Sequence, residues 1–423
     1  MAILASSSAR PRFCRQVAAA VALAILAGCH RSAHPSYLFV WAGDSARKAS
    51  DFLAVIDATP GSSHYGAVLT SLPTGIAGTQ PHHTELEMPA DGHLLANGFR
   101  AGRTWLFDLT APLQPKIITS FGDLAGFSHP HTFARLADGN LLATFQYAAD
   151  TTAPGGEAGM LGRPHSTGGL VELDERGTVL RSASARDSSV SDTALYPYSV
   201  VPVPAIDRAV STTTDMDMAD SAATAQWVQI WRLSDLTLLA TIALPPGPRG
   251  DEQRYSGEPK ALPDGRVFVH TFDCGLYLLD SLTGSHPSAK LMHTFTGKDC
   301  GVAVLSGHWW LQTVPAEHGI VALDVTDPAN PREVTRVSLG ADEAPHWLAI
   351  DPSGRRLVVN SGGYVKGDRV FVVDFDPDDG HLAVDSLFRD AGSDRPGVDF
   401  ASRTWPHGFT GRALPHGAVF SRP

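Results

Sequence analysis

Signatures of several common enzyme classes are missing from this 423-residue sequence. It has no Gly-x-Ser-x-Gly nucleophile elbow, no Walker loop, no dinucleotide-binding Gly-x-Gly-x-x-Gly and no His-Glu-x-x-His zinc-protease motif. Cys-x-x-Cys-His, which attaches haem c, is also absent. No block of Lys or Arg occurs and the net charge is −11, which argues against a nucleic-acid partner.

The sequence also lacks an apolar helical period longer than one turn. Short apolar runs are instead separated by turns, which suits a chain with 40 Gly and 30 Pro. One unit occurs three times in full. It consists of a His, about four residues of alternating polarity, a turn ending in Gly and an apolar strand. Its copies are PHHTELEMPADG (Pro81–Gly92), HPHTFARLADG (His129–Gly139) and PHWLAIDPSG (Pro345–Gly354), with a shortened form, PHGAVFS, at Pro415–Ser421. Recurrence at about 40 to 50 residues is typical of a solenoid or propeller.

These repeats predict an all-β fold, a seven-bladed β-propeller over residues 36–423. The first three strands, at 37–72, lack an inner strand, and the last strand, Gly417–Phe420, is expected to supply it. The C-terminus would then complete the first blade and leave no open sheet edge. Insertions at about 148–167 and 215–226 interrupt blades three and four, and because blade four is irregular, six or eight blades are the alternatives.

The N-terminus resembles a secretory signal. Its charged region contains Arg10, Arg12 and Arg15. The apolar run that follows, Val17–Leu26, is too short for a mature membrane anchor. It ends in Leu-Ala-Gly-Cys29, which looks like a bacterial lipobox and predicts cleavage after residue 28 and lipidation of Cys29; a chance match after an ordinary signal is the alternative.

A lipid on Cys29 would tether a soluble domain through a short polar segment, residues 29–35. His30, rather than Asp, follows the cysteine, which favours the outer membrane of a bacterial envelope, with the domain facing the periplasm. The protein is expected to contact the membrane only through this lipid. In that compartment Cys274 and Cys300 are free to form a disulfide; metal ligation and two unpaired thiols are the alternatives.

The histidines of the repeat are the candidate ligands. His83, His131 and His346 precede their turn glycines by nearly the same distance, and His416 holds the matching place in the last strand. Inner strands line the channel of a propeller, so four imidazoles from blades one, two, three and seven would form one ring. Histidines with a structural hydrogen-bonding role are the alternative. Apart from His82, His129 and the weaker candidate His407, the other histidines of the domain, His270 among them, are expected to be structural.

His82 and His129 flank this ring and could complete it or support it from behind. Imidazole-rich ligation with little sulfur suits copper or zinc, and also nickel or non-haem iron. Blade five offers Ser256–Glu258 and blade six offers Asp299–Cys300 at the opposite rim, where a proton acceptor could lie. No residue is assigned a catalytic role from the sequence.

Several segments resemble the selenium-binding protein family, whose bacterial members include methanethiol oxidases. They are DFLAVIDATPGSSHYGAVLTSLP, the PHHTELEM that follows it, the His-Pro-His at His129–His131, STTT, DVTDPANPREV, DPSGRRLVV and Ala413–His416. The resemblance implies a seven-bladed propeller and a copper-dependent oxidase that uses dioxygen to oxidise a small thiol. It implies ligands at His82 or His83, His129 or His131, and His416, whereas His346 rests on the repeat.

This sequence departs from that family in one respect. Members usually carry cysteines soon after the His-His pair, and none occurs here between Cys29 and Cys274. Selenium binding through such a cysteine is therefore not expected. A non-catalytic metal-binding or selenium-binding propeller, or an envelope scaffold, is the alternative to the oxidase.

Overall fold

A computed structural model describes residues 35–149, 166–190, 195–216, 226–362 and 367–423. The predicted signal peptide, Cys29 and most of the tether and of both insertions lie outside these residues. Within them, no helix is long and apolar enough to cross a bilayer.

The described chain consists of short strands joined by turns. Blades one and two contain β1 (Tyr37–Asp44), β2 (Ser50–Asp57), β3 (Val68–Ala77), β4 (Pro81–Thr84), β5 (His93–Gly98), β6 (Arg103–Asp108) and β7 (Lys116–Phe121). Blades three and four contain β8 (Phe127–Arg135), β9 (Leu141–Ala148), β10 (Thr167–Leu173), β11 (Val179–Ser184), β12 (Pro197–Val203), β13 (Arg208–Thr213), β14 (Trp227–Arg232) and β15 (Thr237–Ala243).

The second half of the chain continues this pattern. Blades five and six contain β16 (Ser256–Ala261), β17 (Val267–Thr271), β18 (Gly275–Asp280), β19 (Ser288–Thr294), β20 (Ala303–Ser306), β21 (Trp309–Val314), β22 (Gly319–Asp324) and β23 (Arg332–Ser338). Blade seven and the C-terminal segment contain β24 (Trp347–Ile350), β25 (Arg356–Asn360), β26 (Arg369–Phe375), β27 (Leu382–Val384), β28 (Val398–Asp399), β29 (Arg403–Thr404), β30 (Thr410–Gly411) and β31 (Ala413–Phe420). In the described part of the chain, 3₁₀ turns lie at Pro204–Ile206 and Pro315–Glu317.

The prediction of seven blades closed by the last strand is confirmed. Among the described residues, blades two to seven are each built from four consecutive antiparallel strands, with β28 added to β26 in blade seven. Blade one has the order β3-β2-β1-β31. In it Leu38 pairs with Phe420 and Val40 with Ala418, so the C-terminal strand completes the sheet that the N-terminal strand begins.

The core lies between the blades. Side chains of one strand alternate in direction, so in β1 Phe39 and Trp41 pack against blade two, while Leu38 and Val40 pack against blade seven. Similar apolar clusters join each further pair of neighbouring blades. Strands between two such clusters are buried on both faces, which explains why they read as continuous apolar runs. The outermost strands, such as β11 and β23, are largely exposed.

Candidate metal centre

Five histidines meet where the inner strands of neighbouring blades come together. We call them the histidine cluster; its members are His82 and His83 in β4, His131 in β8, His416 in β31 and His346 directly before β24. Four of them are buried and His346 is half-buried. The repeat predicted that His83, His131, His346 and His416 would form one ring, and the structure brings these four together, with His82 between them.

The imidazoles of the cluster touch one another. His82 Nε2 lies 2.8 Å from His131 Nε2, and His82 Nδ1 lies 3.2 Å from His416 Nδ1. The ring centroids of His83 and His131 are 4.5 Å apart, and those of His346 and His416 are 5.1 Å apart. One nitrogen from each of His82, His83 and His416 lies within 4.8 Å of the others. With metal–nitrogen bonds of about 2 Å, several of these rings can reach one ion.

Irregularities in the inner strands explain why the consecutive residues His82 and His83 join the same cluster. Consecutive side chains of a regular strand point to opposite faces. The pairing of β4 with β5 shifts register between Pro81 and Thr84. The inner strands of blades three, four and five shift in the same way, at 130–133, 197–200 and 256–259. Such bulges commonly redirect side chains beside active sites.

An asparagine near the end of the second strand fixes the backbone around the cluster in blades two and seven. Asn97 Oδ1 accepts the N–H of His83 at 2.7 Å, and Asn97 Nδ2 donates to the carbonyl of His131 at 3.0 Å. Asn360 Nδ2 donates to the carbonyl of His416 at 2.7 Å. These residues occupy one position of the repeat, in HLLANG and RLVVNS. A polar side chain recurring at one place in an apolar strand was the signal that could have identified them.

A carboxylate faces the cluster from blade five. Glu258 Oε1 lies 4.0 Å from His83 Nε2, while Glu258 Oε2 lies 2.6 Å from His270 Nε2. Neither His83 Nε2 nor Glu258 Oε1 makes a hydrogen bond to any described residue, and both are buried. A Cβ on Gly257 would lie 2.4 Å from the His270 ring, so this close approach of β16 depends on glycine.

His270 was expected to be structural. In the structure it is buried beside the site, where its Nε2 lies 2.6 Å from Glu258 Oε2. Its partner, Glu258, belonged to the segment named as a source of a proton acceptor. Cys300, in the other segment so named, is instead bonded to Cys274. Glu258 and His270 lie on adjacent strands of blade five. The alignment of the repeat indicated the segment of Glu258, but blade five has no Pro-His unit and the repeat gave no reason to connect His270 with the cluster.

His129 lies outside the cluster. It has a left-handed backbone, with φ at 58°. Its ring packs 5.5 Å from Phe99 and 5.2 Å from Tyr147, and its Nδ1 lies 3.1 Å from Ser128 Oγ. Phe99 in turn contacts His82 and His131. The structure therefore places His129 in the layer behind the cluster, which is one of the two positions considered for it.

Burial keeps these imidazoles neutral. It lowers the pKa of His131 and of His346 to about 4, although the charge of Glu258 opposes this change. Burial and the neighbouring imidazoles hold the pKa values of His82, His83 and His416 well below the usual range. Neutral imidazole is the form that binds metal ions.

Glu258 behaves in the opposite way. Burial alone would raise its pKa, but the hydrogen bond and charge of His270, with the charge of Lys260, lower it to about 2. The carboxylate is therefore ionised at neutral pH. A group with so low a pKa is a poor general base, which favours a role as the anionic partner of a bound cation over the proton acceptor considered from the sequence.

The hydrogen bonds also set the tautomer of one imidazole. His131 Nδ1 lies 2.7 Å from the backbone carbonyl of Tyr198, so this nitrogen carries the proton. In a neutral ring the other nitrogen, Nε2, then carries the lone pair, and it points to His82. A backbone carbonyl that orients a ring in this way is the usual outer partner of a metal-binding histidine.

A cavity of about 200 Å³ begins at His83 and Glu258. It follows the inner strands of blades two to five and has mostly apolar walls that include Phe133 and Val200. Lys260 also lines it. His83 and Glu258 both line this cavity, so a small molecule in it would lie beside these two residues.

A disulfide predicted from the sequence lies near the site. Cys274, in the turn between β17 and β18, is disulfide-bonded to Cys300, which precedes blade six. The N–H of Cys300 donates to the carbonyl of Phe272 at 3.0 Å, and the Phe272 ring stacks on that of His346. The disulfide thus links blades five and six behind the cluster.

The donor set fits a metal ion. Buried polar atoms ordinarily have hydrogen-bond partners, and the 4.0 Å between His83 Nε2 and Glu258 Oε1 leaves room for one ion to contact both. Neutral imidazoles with a single nearby carboxylate suit copper or zinc. The second group of possible ligands among the described residues, Asp91, His93 and Glu175, is exposed or half-buried and already contacts Arg135.

Fold and site together define a seven-bladed β-propeller with a buried polyhistidine site between its inner strands. The chain resembles the selenium-binding protein and methanethiol oxidase family, as its motifs predict. It is 33% identical over 133 residues to a methanethiol oxidase from a Hyphomicrobium species. That match spans 29% of this chain and 28% of the relative. No protein-family model matches the chain.

Solved structures show the same fold. A hypothetical selenium-binding protein from Sulfolobus tokodaii superposes with a TM-score of 0.67 at 17% identity, over 92% of this chain and 94% of that one. A periplasmic gluconolactonase from Pseudomonas aeruginosa superposes with a TM-score of 0.60 at 16% identity, over 92% and 99% of the two chains. At these identities the likeness concerns the architecture alone, which serves unrelated chemistries.

Proposed function

We propose that this protein oxidises a small thiol with dioxygen at a histidine-bound copper ion. The observation that carries the proposal is the histidine cluster, in which five neutral imidazoles share one enclosed space and Glu258 faces them. The similarity to a methanethiol oxidase suggests the thiol. Zinc suits the same donors but provides no redox chemistry.

In this proposal each group has a stated task. The imidazoles of His83, His131, His346 and His416, with His82 among them, would hold the ion. Bound copper would supply the means of moving electrons from the thiol to dioxygen. Glu258, kept ionised and oriented by His270, would offset part of the charge of the ion.

The reaction balances without a further cofactor. With methanethiol, one dioxygen and one water would be consumed, and formaldehyde, hydrogen sulfide and hydrogen peroxide would be formed. The carbon–sulfur bond breaks, the carbon loses two electrons and dioxygen gains two. Methanethiol is small enough for the 200 Å³ cavity beside His83.

The proposal includes export and a lipid anchor on Cys29. Support comes from the lipobox-like Leu-Ala-Gly-Cys and from the disulfide between Cys274 and Cys300, because disulfides persist in oxidising compartments. Mass spectrometry of the protein purified from bacterial membranes tests this part. Loss of residues 1–28 and a lipid on Cys29 are expected, and an intact N-terminus would contradict it.

The oxidase proposal is tested by elemental analysis combined with oxygen uptake. We expect copper in the protein purified from its export compartment, and equal amounts of oxygen consumed and sulfide released from methanethiol. A fully copper-loaded protein that consumes no oxygen would refute the oxidase. If the bound ion then also shows no exchangeable coordination position in its spectrum, the non-catalytic metal carrier is the better description.

The ligand assignment needs its own variants. His83→Gln with His131→Gln should abolish tight copper binding, and His270→Gln, which releases Glu258, should weaken it roughly 10- to 100-fold. His286→Gln is the matched control, because His286 is exposed on an outer connection. Copper affinity is measured by competition with a chelator. Unchanged affinity in the double variant would show that the ion binds elsewhere.

A further inference from the structure

The proposed oxidation assigns no role to Lys260, a basic residue that lines the cavity. It is half-buried in β16, two residues after Glu258, and both side chains line the cavity. Its ammonium makes no hydrogen bond or ion pair with any of the residues that the structure describes. Its charge nevertheless reaches the site, since it acts on both His83 and Glu258.

The other charged groups around the cavity are already matched. Glu85 is bound by Arg135, with Oε1 2.7 Å from Nε, and Glu258 is bound by His270. The charge of Glu87 also acts on Lys260, but Glu87 is exposed to solvent, which screens this attraction. The half-buried ammonium of Lys260 lies beside apolar walls and has lost part of its hydration. None of these carboxylates compensates for that loss with a hydrogen bond to it. An anion entering the cavity would replace the lost hydration.

The charge balance of the occupied site also favours an anion in the cavity. This argument rests on the proposed function, because it includes the charge of a bound divalent ion. A divalent ion and Lys260 bring three positive charges into the enclosed space, and Glu258 cancels one. A substrate thiolate would cancel the second. One further negative charge, on the substrate and within reach of Lys260, would leave the filled site neutral, which is the state that a water-poor cavity favours.

We propose that the cavity selects a short thiol that also carries a carboxylate or sulfonate, with the anionic group on Lys260 and the sulfur towards His83 and Glu258. The apolar walls, which include Leu86, Phe133 and Val200, would contact the methylene groups between the two ends. Pockets that fix a small ligand by one charged group within an apolar lining are common. Methanethiol would then be a truncated substrate.

The test compares thiols that differ in charge. 3-Mercaptopropionate and 2-mercaptoethanesulfonate are measured against the neutral 1-propanethiol and 2-mercaptoethanol by oxygen uptake. Binding of propionate and 1-propanol is measured separately by calorimetry, which requires no turnover. For the wild type we expect a KM roughly tenfold lower for the anionic thiols, the size typical of a charged hydrogen bond.

Three variants identify the responsible residue. Lys260→Met should remove the difference in KM between the anionic and the neutral thiols, and Lys260→Arg should keep this difference. Lys290→Met is the matched control, because Lys290 lies exposed in the outer strand of the same blade. Thermal unfolding of each variant verifies that it is folded.

The two proposals fail in different ways. Equal KM values for charged and neutral thiols, or a preference that survives Lys260→Met, would overturn the role of Lys260 and leave the oxidase intact. Binding of propionate that depends on Lys260, without oxidation of any thiol, would refute the oxidase and retain the anion site.

Discussion

Folding removes all or part of the water around each imidazole of the histidine cluster, and its protonation equilibrium changes as a result. An imidazole in the unfolded chain takes up a proton near its ordinary pKa of 6.5, whereas folding lowers the pKa of His131 and His346 to about 4. Between these values the unfolded chain binds more protons than the folded one. Stability must therefore fall as pH falls through this window.

We expect the metal-free protein to lose stability from about pH 6.5 down to pH 4. Each histidine protonated only in the unfolded chain contributes about 1.4 kcal/mol per pH unit. The measurement is urea unfolding of chelator-treated protein at several pH values. The double variant His131→Gln, His346→Gln should show a clearly shallower pH dependence. An equal slope in both proteins would mean that these imidazoles are not protected from protons.

At this scale the sequence predicted the histidines that recur at one repeat position. It indicated Glu258 only as part of a segment that could supply a proton acceptor, and it gave His270 no role at the site. His83, His131, His346 and His416 share a repeat position, and this is why they could be placed together. Glu258 and His270 are equally close to the site but belong to a blade with a different inner strand. A single buried carboxylate has no periodic signal, and its importance follows only from the distances.

At the scale of strands and turns, the Gly-terminated turn followed by an apolar run predicted most hairpins. Blade four was irregular in sequence yet forms four ordinary strands, β12 to β15. The bulges were not predicted, because an extra residue in a strand changes pairing without changing composition. They matter for function, since the shift between Pro81 and Thr84 accompanies the paired histidines of β4.

The disulfide gives a prediction for these elements. It closes a loop with a sequence separation of 26 between Cys274 and Cys300. By loop-closure entropy its reduction should lower the free energy of unfolding by about 3 kcal/mol. Denaturant unfolding with and without reductant measures the change. The double variant Cys274→Ala, Cys300→Ala should match the reduced wild type and not respond to reductant; equal stability of oxidised and reduced wild type would contradict this.

For the whole molecule, ring closure is the property on which stability and site both depend. The sequence revealed it through an inner strand missing at the start and present at the end. It could not reveal which blade interfaces pack tightly, because each apolar cluster draws its residues from two blades, often distant in the chain.

Deleting residues 413–423 should abolish cooperative unfolding, because it exposes β1 along its length and removes one side of the cluster between blades seven and one. The control is His416→Gln, which keeps the closing strand. This variant should retain a cooperative transition in thermal unfolding while binding copper more weakly. A truncated protein that still unfolds cooperatively would show that the remaining blades close without β31.

Blade one is shared between the two ends of the chain, and this order has a consequence for biosynthesis. His82 and His83 leave the ribosome more than three hundred residues before His416 joins them. A nascent polypeptide therefore has no complete binding site at any stage of its translation. An ion that needs the whole histidine cluster would therefore be bound only after His416 has been made and the ring has closed, and its identity would depend on the compartment in which closure occurs.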